Sequence, residues 1–60
     1  MTKSEQKAYE NGYRIGEFHY HTYGVEDAKK RGSLAHVRYA KKALRSAYDK
    51  GYWDAVNCAC

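Results

Sequence analysis

The sequence predicts an all-α fold, a two-helix antiparallel hairpin with a short connector. Three observations point to it. No proline occurs in the 60 residues, and Ala, Lys, Arg and Glu, all good helix formers, recur throughout. No stretch shows the apolar–polar alternation of a half-buried strand. The third is a repeated phrase, AYENGYRIG at residues 8–16 and AYDKGYWDA at residues 47–55, which gives each end of the chain a face of small residues.

The first helix is expected over about residues 4–21. Thr2 and Glu5 have the spacing of a capping box, in which each side chain satisfies the other's backbone N–H. HTYG at residues 21–24 should stop this helix at Gly24, since glycine readily takes the left-handed conformation of a helix end. Residues 22–32 then form the connector, with one helical turn in VEDAKKRG closed by Gly32. Ser33 caps a second helix over about 34–57, roughly 36 Å long. A short tail with Cys58 and Cys60 follows.

The repeat explains how the two helices meet. Ala8, Gly12 and Gly16 recur every fourth residue, as do Ala43, Ala47, Gly51 and Ala55, so each set lies on one helix face. A glycine inside a helix costs about 1 kcal/mol relative to alanine, and close packing of two backbones is the usual offset. Tyr9 with Tyr13, and Tyr48 with Tyr52, should seal the seam with their hydroxyls at the water edge. Ile15, Phe18, Leu34, Val37 and Leu44 would complete a thin core. The same stripes fit a second copy of the chain, so a homodimer is the alternative arrangement.

A chain this short forms a single small domain, burying only about 60% of its unfolded surface. A bridge between Cys58 and Cys60 would close almost no loop and add almost nothing. A disulfide scaffold is therefore not expected, and a reducing cytoplasm is the simpler compartment. MTKSEQKAYE lacks the apolar stretch of a signal peptide, and no apolar run approaches a membrane span. No membrane partner is expected.

Charge is the most informative feature. The formal total is +4, but residues 1–28 carry three basic residues and five acids. Residues 29–50 carry eight basic residues and one acid, Asp49, a local excess of 8 − 1 = +7. Such a concentration points to a polyanion, nucleic acid first. On one continuous helix Arg38, Lys41, Lys42 and Arg45 fall at spacings of three and four, forming a stripe that Lys29, Lys30 and Arg31 extend. Tyr52 and Trp53 lie close by and are expected to stack unpaired bases. The plainer alternative is a solvated helix face, with the tyrosines serving as core. Phe18, Tyr20 and Tyr23 are expected to cluster over the connector.

Other chemistry is poorly provided for. His19-x-His21 and Cys58-x-Cys60 invite a zinc site, but the hairpin holds the two pairs apart and structural zinc prefers wider cysteine spacing. No metal or other cofactor is expected. His19 and His21 cannot share a helix face, so one should pack and the other stay exposed. His36 is expected to pack. No glycine-rich phosphate loop, facing carboxylate pair or Ser-His-acid set can be singled out, so an enzyme is not expected.

KAYENGYRIG and RSAYDKGYWDAV resemble the two ends of the ribosome modulation factor family, small bacterial proteins of ribosome hibernation. Ala8, Gly12, Tyr13 and Gly16 match the first phrase. Arg45, Ser46, Tyr48, Gly51, Tyr52, Asp54 and Ala55 match the second. The segment between them is longer here, lacks the family's Cys-Pro turn, and carries the basic residues that the family places at its N-terminus. The resemblance implies binding to ribosomal RNA of the small subunit near the messenger exit, with ribosome inactivation and pairing by occlusion. The alternative is a phage-type protein-binding inhibitor that turns the same hairpin against a host protein.

Overall fold

The computed structural model describes residues 2–58. The fold is all-helical, with α1 at Lys3–Tyr23, α2 at Val25–Arg31, α3 at Ala35–Arg38 and α4 at Lys42–Cys58. Among the described residues there is no strand.

Local chemistry sets most boundaries. Thr2 caps α1: its hydroxyl accepts from the Glu5 N–H at 3.2 Å, and the Glu5 carboxylate accepts from the Thr2 N–H at 3.2 Å. These bonds favour the ionised carboxylate and hold its pKa below the ordinary value, the Thr2 backbone N–H contributing most. Gly24, at φ +93°, ends α1 by donating to the Tyr20 carbonyl and opens α2 by accepting from Ala28. A Cβ there would meet no neighbour, so backbone conformation, not space, selects glycine. Gly32, at φ +70°, closes α2.

The expected helix over 34–57 is broken. Leu34 takes a left-handed conformation at φ +53°, α3 lasts one turn, and Tyr39 is extended. That extension turns the Tyr39 ring onto Tyr48, centroids 5.4 Å apart, and its oxygen toward Asn11, whose Nδ2 donates across 3.3 Å. Arg45 covers the break by donating from Nη2 to the Ala40 carbonyl at 2.7 Å.

The larger correction is topological. Gly12 lies against the Tyr48 backbone, Gly16 against Tyr52 and Ala55, and Thr2 and Glu5 share a groove with Lys41 and Leu44. Residue numbers rise together along the contact, so α1 and α4 run parallel rather than as an antiparallel hairpin. Residues 24–41 make this possible by returning the chain along the pair. Ala28 meets Tyr52, Ser33 meets Asp49, Tyr39 meets Asn11, and Lys41 reaches the groove at Thr2. The molecule's longest extent is 30 Å, the length expected of α1 alone, so everything else lies alongside that helix.

The stripes meet within one chain. Ala8, Gly12 and Gly16 of α1 and Ala47, Gly51 and Ala55 of α4 are buried, whereas Ala43 is exposed. A Cβ on Gly12 would stand 2.0 Å from the Tyr48 carbonyl oxygen, and one on Gly51 would stand 2.1 Å from that of Tyr9. Backbone touches backbone, which only glycine permits. The parallel register also changes the core. Tyr48, Tyr52 and Val56 are its largest fully buried side chains, so the α4 tyrosines are inside and not at the rim. Ile15 and Leu44 are half-buried, but Phe18, Leu34 and Val37 are 58%, 53% and 71% exposed and contribute little. His36, on the single turn of α3, is exposed rather than packed.

Candidate nucleic-acid interface

The break at residues 39–41 redistributes the basic residues expected on one helix wheel. Lys29, Lys30 and Arg31 form the last turn of α2, Arg38 ends α3, Lys41 lies in the break, and Lys42 and Arg45 open α4. All except Arg45 are exposed. The stripe therefore follows the return segment of the chain. Asp49, the one acid among residues 29–50, accepts from the Ser33 hydroxyl and from Trp53 Nε1 at 3.1 Å. It ties the turn before α3 to α4 and forms no ion pair with the lysines among the described residues.

Three sequence-derived site residues change role. Arg45 is half-buried, bonds the Ala40 carbonyl, and has a buried Nε with no partner among the described residues, so it serves as a clip on the chain break. Tyr52 is fully buried and cannot stack a base. Its hydroxyl donates to the Ala28 carbonyl at 2.6 Å, holding α2 against α4. Trp53 keeps a half-buried ring edge-on to Tyr52, with its N–H already engaged, so it can offer a surface but no donor. Arg31 lies over the Tyr23 ring, 4.0 Å from its centroid, and both side chains remain exposed.

His19 packs while His21 is exposed. The Nδ1 of His19 is 3.1 Å from the Tyr52 hydroxyl, whose single hydrogen is already used on Ala28. Nδ1 is therefore the donor and carries the proton. Burial lowers the His19 pKa, and the Arg31 and Arg38 charges lower it further. Parallel packing removes the separation of helix ends that argued against zinc. Even so, Cys60 and the side chain of Cys58 lie outside the described residues, and no group of three metal-ligating side chains occurs among those described.

Asn11, Arg14 and Ile15 of α1 face Arg38, Tyr39 and Tyr48 across a cleft of about 320 Å³. Tyr48 is 1% exposed, yet its hydroxyl has no hydrogen-bond partner among the described residues. Leaving such a group unpaired typically costs about 1–3 kcal/mol. Burial pushes its pKa up, opposed by the Arg38 charge, so the phenol is neutral and retains its proton. No sequence signal marks this cleft, because it exists only through the extended backbone at Tyr39. Compared with family models, curated proteins and solved structures, the chain matches none.

Proposed function

We propose that the protein is an RNA-binding translation regulator of the ribosome-modulation-factor type, acting on small-subunit ribosomal RNA by occlusion. One observation carries this reading. Lys29, Lys30, Arg31, Arg38 and Lys41 of the return segment and Lys42 at the start of α4 are exposed, and none forms an ion pair among the described residues. Such a segment presents phosphate-binding charge at several points of a surface, the arrangement that favours a backbone track. The resemblance supplies the target class. Its small residues Ala8, Gly12, Gly16, Gly51 and Ala55 all lie in the buried seam, so the two phrases act as one structural unit.

Binding to isolated small subunits across a salt series tests the reading. With six cations on single-stranded RNA, log K should fall against log salt with a slope of about −4. Replacing Lys29, Lys30, Lys41 and Lys42 by Gln should remove about 3 units of that slope. Binding that ignores both salt and these substitutions would favour a second reading, a protein-binding inhibitor. The exposed Phe18 and Val37, 58% and 71% accessible, favour that alternative.

A further inference from the structure

We infer that the cleft between α1 and the α3–α4 break is a phosphate-binding site, built by Arg14, Arg38, Tyr39 and Tyr48. The inference deepens the RNA reading, and rests on it only for the source of the phosphate, a phosphodiester of the bound strand.

The donor inventory carries the argument. Asn11 donates to the Tyr39 oxygen at 3.3 Å, so the Tyr39 hydroxyl hydrogen is free to point elsewhere. Tyr48 lines the cleft, and its buried hydroxyl has no partner among the described residues. Arg14 and Arg38 are exposed at the mouth, and neither forms an ion pair among those residues. The Arg38 guanidinium carbon lies 5.9 Å from the Tyr48 ring centroid, which brings that charge over the Tyr48 ring. No carboxylate lines the cleft. Glu10 and Glu17 flank Arg14 along a separate groove with Tyr9 and Tyr13. Two cations and two free hydroxyl donors, with no competing acid, suit a tetrahedral oxyanion with several acceptor oxygens. A purely structural tyrosine offers no reason for its oxygen, because phenylalanine would fill the same space without an unpaired hydroxyl.

The test is a titration of the labelled full chain, followed by NMR, with inorganic phosphate and separately with a short oligouridylate. Both should move the Arg14, Arg38, Tyr39 and Tyr48 resonances. Changing Arg14 and Arg38 together to Gln should weaken phosphate binding by about tenfold or more. Tyr48→Phe should weaken it by roughly tenfold to a hundredfold, the loss expected of one hydrogen bond to a charged group, while leaving the thermal midpoint unchanged or raised. A merely structural tyrosine would give the stability change without the affinity change. Phosphate binding with no oligouridylate binding would keep the site and remove the RNA source. Oligouridylate binding indifferent to all three substitutions would overturn the site and leave the RNA reading in place. Phosphate shifts confined to Lys29, Lys30, Lys41 and Lys42 would also overturn it.

Discussion

Replacing Gly12 by alanine sets two effects of opposite sign against each other. In an isolated helix the change stabilises by about 1 kcal/mol, because glycine loses more backbone freedom. Here the new Cβ would stand 2.0 Å from the Tyr48 carbonyl oxygen and 2.8 Å from its carbon, where ordinary contacts begin at 3.4 Å. The obstacle is main chain and cannot rotate away, so the helices must separate by roughly 1 Å. Overpacking of a tight interface costs about 1–3 kcal/mol, occasionally more, and separation also loosens contacts of the buried Ala8, Ala47 and Tyr48. We expect a net loss of about 2 kcal/mol after the propensity gain. In a domain this small that lowers the thermal midpoint by roughly 8–16 °C. Circular dichroism melts of Gly12→Ala, Gly51→Ala and the double variant measure it. One separation of the helices relieves both clashes, so the double variant should lose less than the sum. A raised midpoint in both single variants would refute the reasoning, because the seam would then not be a backbone contact.

Leu34→Asn should be neutral or stabilising by about 0.5 kcal/mol, because Asn tolerates the left-handed conformation and Leu34 is 53% exposed; chemical denaturation reads the sign. Asp49→Ala should destabilise by about 1–3 kcal/mol, because it removes the acceptor of the buried Ser33 hydroxyl and of Trp53 Nε1, and should shift Trp53 fluorescence. His19 has a folded pKa below its ordinary value of 6.5, so its contribution to stability is present above that pH. That contribution is lost as pH falls from 6.5 through the lower folded value, because the unfolded chain then binds the proton more readily. Thermal midpoints should therefore fall on acidification below pH 6.5, and His19→Gln should flatten the slope.

Much of the fold was legible because it rests on local chemistry. The Thr2–Glu5 box, the stop at Gly24 and the closure at Gly32 are written in residues a few positions apart. The small-residue stripes were legible too, since glycine every fourth residue has few uses besides close approach. Direction was not, because a stripe of small residues packs equally well parallel or antiparallel. The deciding feature is that residues 24–41 can travel back along the pair, and this depends on Leu34 in a left-handed conformation and Tyr39 in an extended one, neither marked by glycine or proline. Reading residues 34–57 as one helix put Arg38 on the α4 wheel, and the antiparallel register left Tyr52 at the surface. It also hid Arg14 from Arg38. The lysines are exposed because exposure of lysine follows from composition more than topology.

The most direct test of the functional account is sedimentation of lysate from cells expressing the protein through a sucrose gradient, with every fraction probed for it. The account predicts that the protein travels with small subunits or whole ribosomes at low salt and leaves them at high salt. A protein that stays at the top of the gradient, or travels with a non-ribosomal complex, would contradict it.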